Sequence, residues 1–167
     1  FITIRNGDTQ YAEMVQKGNE HVLTARFSDA SFFYRDDIKA PLDAYLMRLS
    51  TLTFHEKLGS MLDKSRRVEK GVKPLAELIG VRGADLQVAG RAAQILKADL
   101  ATRMVVEMTS LQGTMGREYA RLAGESPAVA DAIYEHWLPR FADDSVPASK
   151  AGTLLALLDR LDSLVGL

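Results

Sequence analysis

The chain contains no cysteine, which excludes disulfide bonds and thiolate metal sites and fits a reducing compartment. Histidine is also scarce: His21, His55 and His136 are the only three in 167 residues. None of them has a ligand-type residue four positions away, the spacing that would bring two ligands together on a helix. We therefore interpret all three as ordinary surface or boundary histidines, and the sequence offers no histidine-based metal site.

Long hydrophobic runs and a strong charge of one sign are missing too. The longest apolar run, residues 154–158, is far shorter than the roughly 20 residues that span a bilayer. A net charge of −1 argues against a protein wholly devoted to nucleic acid, but it allows a local basic face. Residues 113–116 lack the spacing and the preceding strand of a phosphate-binding loop. No serine–histidine–aspartate or paired-carboxylate arrangement is identifiable.

Most of the sequence has apolar residues at helical spacing. Its 167 residues are enough for one domain, or for one domain plus a piece of another. Residues 1–5 alternate weakly and end at a turn signal, so they are typical of a strand. Helical spacing covers residues 11–38, with a possible break at Gly18. The residue before Pro41 is pushed out of the helical region, so this proline marks a boundary and the start of a new helix.

Five further helices are predicted, mainly from apolar stripes at steps of three and four residues. The first is expected to kink or break at Gly71 and Pro74. The second is predicted as one long helix, because residues 86–104 carry a continuous apolar face and strong helix formers. A third helix is predicted over 110–122. A fourth starts with Ser126 as N-cap and Pro127 at its first position, and it ends before Pro139. A loop over 141–150 then precedes a last helix, whose stripe includes Leu154, Leu158 and Leu161.

Three charged residues lie at the edges of these stripes. Asp99 is three residues after Leu96, Asp159 is four after Leu155, and Lys64 is three after Met61. The simpler interpretation is a set of solvated charges with local partners at i+4. The pairs are Asp99 with Arg103, Asp63 with Arg67, and Glu69 with Lys73; each contributes only about 0.2–0.5 kcal/mol.

The order of three short motifs favours a different interpretation. A helix with Ser-Arg-Arg-Val, one with Ala-Asp-Leu and one with Leu-Leu-Asp-Arg-Leu-Asp together resemble the HD superfamily. Those all-helical hydrolases hold a divalent metal with a His, a His-Asp pair and a later Asp. The resemblance places Lys64 near the first histidine, Ala98 at the second, Asp99 at the paired aspartate and Asp159 at the last position.

These departures change the expected chemistry. Alanine offers no ligand, and the lysine ammonium has no lone pair to donate. Two carboxylates alone rarely hold a transition metal, although they can bind magnesium weakly. We therefore expect no metal and no phosphohydrolase activity. We also hypothesise that Lys64 supplies the missing positive charge by pairing with Asp99 or Asp159, an interaction of roughly 4 kcal/mol before desolvation is subtracted.

A closer resemblance covers nearly the whole chain. Five blocks are similar, in the same order, to the β subunit of the heterotetrameric, bacterial-type glycyl-tRNA synthetase: residues 25–37, 54–69, 97–105, 111–119 and 158–166. The resemblance implies an all-α, degenerate HD-like helical bundle over 41–167, truncated at its C-terminus. It also implies a lead-in over 1–40, made of a strand or loop remnant of a preceding domain and a long connecting helix.

The same resemblance implies a division of labour. The α subunit would handle glycine, ATP and magnesium, so no cofactor and no catalytic residue is expected in this fragment. The β subunit would recognise tRNA(Gly), and the partners would be that tRNA, the α subunit and the rest of the β subunit. A bacterial cytoplasm and a plastid both fit such an enzyme.

A basic segment could make the tRNA contact, through Lys57, Arg66, Arg67, Lys70, Lys73 and Arg103, with Lys97 and Arg91 on the neighbouring helix. The alternative is a solvated face, since acidic residues are interleaved with these cations. The aromatic cluster Phe32, Phe33 and Tyr34 is expected to pack into a core and not to stack on bases. A divergent metal phosphohydrolase and a scaffold that docks other parts of a synthetase stay open as alternative functions.

Overall fold

Eight α-helices make up most of the protein in its computed structural model, which describes residues 1–166. They are α1 (Ala12–Asp37), α2 (Asp43–Leu46), α3 (Met61–Ile79), α4 (Gly83–Ile95), α5 (Arg103–Glu107), α6 (Thr114–Leu122), α7 (Pro127–Glu135) and α8 (Lys150–Gly166). Three short 3-10 helices lie between them, at Met47–Thr51, Ala98–Ala101 and Thr109–Leu111. The predicted all-α bundle is confirmed, and no helix within the described residues is long and apolar enough to cross a membrane.

A small antiparallel ribbon leads into α3. Its strands, β1 (Thr53–His55) and β2 (Gly59–Ser60), pair Thr53 with Ser60 and His55 with Gly59. The Ser60 hydroxyl accepts a hydrogen bond from the Asp63 amide at 3.2 Å, and the Asp63 carboxylate accepts one from the Ser60 amide at 2.8 Å. This reciprocal pair satisfies two donors at the helix start. Residues 1–5, for which a strand or a loop remnant was expected, form a loop.

Two predicted helix breaks are absent from the described chain. Helix α1 runs through Gly18, and α3 runs through Gly71 and Pro74. Gly71 allows a close approach of α8, because a Cβ there would lie 2.6 Å from Leu158 Cδ2. Pro74 is exposed, so the carbonyl that it leaves without a donor can be hydrated. Tertiary packing thus keeps α3 helical across residues that local propensity disfavours.

Conversely, the single helix predicted over residues 86–104 is wrong. Helix α4 ends at Ile95, Lys97 adopts a left-handed conformation with φ 65°, and a 3-10 turn precedes α5. All residues from 95 to 99 are buried, and one face of a straight helix cannot bury five consecutive side chains. The helix predicted from Ser110 likewise begins later, at Thr114. The Ser126 cap, the loop over 141–150 and the last helix are confirmed.

The core lies where α3, α4, α7 and α8 pack together, with α6 against α7. Alanines such as Ala89, Ala92 and Ala132 are completely or almost completely buried in it, which lets the helix backbones approach closely. Helix α1 is different, because only its last turns contact the bundle. There the buried Asp37 carboxylate accepts hydrogen bonds from the amides of Arg103 and Met104, both at 2.9 Å. The end of α1 therefore caps the start of α5.

Candidate functional site

Lys64 lies on the inward face of α3, and its side chain is only 3% exposed. Its ammonium nitrogen lies 3.3 Å from Asp159 Oδ1, 3.2 Å from Asp162 Oδ2 and 2.7 Å from Ser163 Oγ, all on α8. The Phe54 ring centroid lies 4.4 Å from the same nitrogen. The hypothesised pair with Asp159 is therefore formed, and it joins α3 to α8.

Lys97 is a second buried lysine in this cluster, and the sequence did not reveal it. The prediction that Lys97 belongs to the surface cations is wrong, because the left-handed turn directs its side chain inward. Its ammonium nitrogen lies 3.1 Å from Asp159 Oδ1, 3.3 Å from His136 Nε2 and 3.9 Å from the Trp137 ring centroid. The only available signal was its position within a run of buried apolar residues, since a lysine with positive φ has no sequence signature.

The charges in this cluster compensate one another. Burial by itself would raise the pKa of Asp159, but the charges of Lys97 and Lys64 outweigh that effect and hold the pKa below its ordinary value. Burial lowers the pKa of Lys97, and Asp159 opposes the change. Burial and the Lys97 charge lower the pKa of His136 to about 3, so this imidazole is neutral at pH 7. Its Nδ1 contacts the Ile133 carbonyl, so we assign Nδ1 as the donor and Nε2 as an acceptor for Lys97. His136 is completely buried, so the interpretation of all three histidines as surface or boundary residues is wrong for this one.

Asp99 does not join this cluster through a direct ion pair. Its Oδ2 accepts a hydrogen bond from the Gly113 amide at 2.6 Å, just before α6. A Cβ on Gly116, in the first turn of α6, would lie 3.1 Å from the same oxygen, so the glycine makes room for the carboxylate. Burial raises the pKa of Asp99, and the hydrogen bond from Gly113 acts in the opposite direction. Asp99 thus stabilises a helix N-terminus, and the alternative pair between Lys64 and Asp99 is not formed.

The arrangement does not fit a metal ion. The oxygen that would serve as the last ligand, Asp159 Oδ1, already lies within 3.3 Å of two ammonium groups. Ala98 has no donor atom and is completely buried. No three His, Cys, Asp or Glu side chains among residues 1–166 come together as a possible metal site. Two lysines provide the positive charge at this centre, where Lys64 alone had been expected to do so.

The local ion pairs that formed the simpler interpretation are also absent within residues 1–166. Arg67 binds Asp162 through Nε at 2.6 Å and Nη2 at 3.1 Å, and its Nη1 donates to the Leu58 carbonyl at 2.8 Å. Arg103 pairs with Asp36 of α1 at 3.0 Å. Four of the eight predicted cations are therefore used in contacts between elements, because carboxylates distant in sequence lie closer than those at i+4.

The exposed cations that remain lie mainly on one side of α3. Arg66, Lys70 and Lys73 are exposed and form no ion pair with a described residue. Lys57, in the turn between β1 and β2, is exposed as well. We call Arg66, Lys70 and Lys73 the α3 basic row. Their spacing of four and three residues places them on one helix face.

The aromatic cluster near the end of α1 is only partly buried. Phe33 is half-buried and packs against the core, as predicted. Phe32, in contrast, is 57% exposed, so the prediction that it packs into a core is wrong. Tyr34 stacks on Tyr119 with ring centroids 6.1 Å apart. The Phe32 and Phe33 rings meet edge to face, with centroids 6.0 Å apart, but adjacent residues on a helix point in different directions, so only Phe33 reaches the core.

Fold and centre together define an all-α domain whose centre holds buried lysine–aspartate ion pairs. A family profile described as glycyl-tRNA synthetase beta subunit matches residues 1–167, and the chain belongs to this family.

Three relatives illustrate the match. The glycine–tRNA ligase beta subunit of Halalkalibacterium halodurans is 50% identical over 164 residues, which cover 98% of this chain and 24% of the relative. That of Shouchella clausii is 51% identical over 165 residues, 99% of this chain and 24% of the relative. That of a Picosynechococcus species is 46% identical over 167 residues, which cover 100% of this chain and 23% of the relative. The chain therefore spans about a quarter of the length of these relatives, and the predicted family is confirmed.

Proposed function

We propose that this chain is a tRNA-contacting, structural domain of the β subunit of a glycine–tRNA ligase. In this proposal the α subunit binds glycine, ATP and magnesium, the complete enzyme charges tRNA(Gly) in a bacterial cytoplasm or a plastid, and this domain has neither catalytic residues nor metal phosphohydrolase activity. The family supports the assignment to the β subunit, and the lysine ion pairs at Asp159 support the absence of metal phosphohydrolase activity.

The observation that carries the tRNA contact is the α3 basic row. At 1.5 Å per residue, Arg66, Lys70 and Lys73 rise by about 6 and 4.5 Å along the helix, and their long side chains can reach neighbouring phosphates. Of the other cations of the segment, Arg67 and Arg103 already hold carboxylates, and Lys57 is exposed in the turn before α3. A row of exposed cations without acidic partners favours a polyanion as its ligand.

A docking scaffold is the second candidate function, favoured by exposed apolar side chains on α8. Leu164 is 78% exposed and Val165 is 86% exposed, and Leu161 lies on the same helix with 44% exposed. A contiguous apolar surface of this kind is typical of an interface with another domain or subunit. The two functions are compatible, because the cations that would contact tRNA lie on α3 and the exposed apolar side chains lie on α8.

Charge reversal of the basic row tests the tRNA contact. In the full α/β enzyme, Arg66→Glu/Lys70→Glu/Lys73→Glu is expected to weaken tRNA(Gly) binding about tenfold or more at low salt. It should also reduce the magnitude of the slope of log K against the logarithm of the salt concentration by about 2–3. Each phosphate contact releases about one counterion, and three contacts would be lost. A fluorescence titration over a salt series measures both quantities.

The matched control is Lys17→Glu/Arg26→Glu/Arg35→Glu on α1, which makes the same change of net charge at three exposed positions. This control is expected to retain the affinity and the salt slope. Equal weakening by both triple variants would show a net-charge effect and contradict a contact at α3. An unchanged affinity with the α3 variant would leave only the scaffold function.

A further inference from the structure

A groove between α3 and α4 opens beside the basic row. Its volume of about 840 Å³ lies within the range of sites for small molecules. Val72 of α3 and Leu86 of α4 give it an apolar floor, and the amide side chains of Gln87 and Gln94 lie at its edge. The groove therefore combines an apolar surface with hydrogen-bond donors and acceptors, which the basic row does not offer by itself.

One wall of the groove is the guanidinium group of Arg91, which is held in place by three other side chains. Its Nε donates to Glu125 at 3.0 Å, its Nη1 to Gln94 at 3.1 Å and its Nη2 to Asp43 at 3.0 Å. The N–H bonds of a guanidinium lie in its plane, so hydrogen bonds made through them leave the faces of the group for stacking. A fixed guanidinium plane is one of the surfaces on which proteins stack unpaired bases.

Gly90, in the middle of α4, lines the same groove. A glycine inside a helix lowers stability, and here no structural reason for it is visible: its φ is not positive, and a Cβ would meet no atom within 4 Å. Gly71 and Gly113 differ from it, since a Cβ there would collide with Leu158 and Trp137, respectively. A ligand that enters the groove would explain why Gly90 keeps this space open.

We propose that the groove holds one unpaired nucleotide of an RNA, an inference that rests on the tRNA contact proposed above. The base lies against the apolar floor and the Arg91 plane, with the glutamine amides at its edge. Its phosphate lies near Lys70 and Lys73, which outnumber the single carboxylate on this rim, Glu69. The Arg91 charge is already matched by its two acidic partners. Bases in a duplex are stacked and paired, so a single-stranded segment is the fitting occupant.

Filling the groove from Gly90 tests the proposal in the full α/β enzyme. The probes are tRNA(Gly), a short single-stranded oligoribonucleotide, and that oligoribonucleotide annealed to its complement. Gly90→Leu and Gly90→Met are both expected to weaken binding of the single strand and of tRNA(Gly) about tenfold, the loss typical of one stacked base, and to leave duplex binding unchanged. Gly90→Ala is expected to weaken the same two affinities by a smaller factor, about threefold, because a methyl group takes only part of the space that the ligand needs.

Gly18→Leu is the matched control, because Gly18 is also a helical glycine whose Cβ would meet nothing within 4 Å. It is expected to retain all three affinities, and unfolding midpoints verify that every variant is folded. If both filling variants bind the single strand normally while charge reversal of the basic row weakens tRNA binding, the groove proposal is overturned and the tRNA contact stands. If neither change affects tRNA binding, both proposals fail. Equal weakening of single-strand and duplex binding would also overturn the groove proposal.

Discussion

Asp159→Asn is expected to lower the free energy of unfolding of the 167-residue chain by about 3–5 kcal/mol, the cost of breaking a buried ion pair from one side. The carboxylate lies 3.1 Å from the Lys97 ammonium and 3.3 Å from that of Lys64, and both lysine side chains are at most 3% exposed. Without it, two buried cations face each other, and among the described residues only Lys64 keeps an ion pair, with Asp162. Urea denaturation followed by circular dichroism measures the change.

The same substitution at Asp99 is the matched control, and its expected cost is no more than about 1 kcal/mol. An asparagine oxygen can still accept the hydrogen bond from the Gly113 amide. The other carboxylate oxygen of Asp99 is buried without a hydrogen-bond partner among the described residues, so its replacement breaks no contact. Equal costs at the two positions would contradict the assignment of Asp159 as the centre of the charge cluster.

The pH dependence of the two variants should have opposite signs. The pKa of Asp159 is lowered from 3.8, so its contribution to stability is present above about pH 4 and is lost as the pH falls through the lowered value. The pKa of Asp99 is raised, so its contribution is complete below about pH 4 and is lost as the pH rises through the raised value. Acidification from neutral pH should therefore narrow the stability gap between the wild type and Asp159→Asn. Over the same range, acidification should increase the free energy of unfolding of the wild type relative to that of Asp99→Asn.

Asp37→Ala is the other substitution with a large expected effect, a loss of about 3 kcal/mol, because charge-assisted hydrogen bonds to buried groups are among the strong ones. The carboxylate accepts from the amides of Arg103 and Met104 and from the Tyr119 hydroxyl, all at 2.9 Å, and the residue is 2% exposed. Its removal leaves two amides at the start of α5 and one hydroxyl without an acceptor. Amide hydrogen exchange should show faster exchange at residues 103–104 and in the last turn of α1.

The neighbouring Asp36 supplies the control for this prediction. It is more exposed and pairs with Lys39 and Arg103 at the surface, so Asp36→Ala should leave the unfolding midpoint nearly unchanged. Tyr119→Phe removes one of the three donors and should cost about 1 kcal/mol. If the two alanine variants unfold alike, Asp37 does not fix α1 to the bundle.

The outline of the fold and the family could be predicted from the sequence. Apolar stripes located most of the helices, Ser126 and Pro127 marked a true helix start, and the ordered blocks identified the family. Such features depend on short-range periodicity and on local hydrogen bonding, which neighbouring residues determine by themselves. Motif order also selected Lys64 and Asp159, which prove to be in contact.

Only the tertiary structure decided what the charged residues do. Lys97 enters the core through a left-handed turn, Arg67 turns to Asp162, and Asp99 turns to Gly113, away from its supposed counterpart Asp159. The sequence determined that cations and carboxylates are plentiful along α3, α4 and α8. It did not determine their partners, because long side chains pair with whichever opposite charge the packing of distant helices brings within about 4 Å, at spacings that no local pattern records.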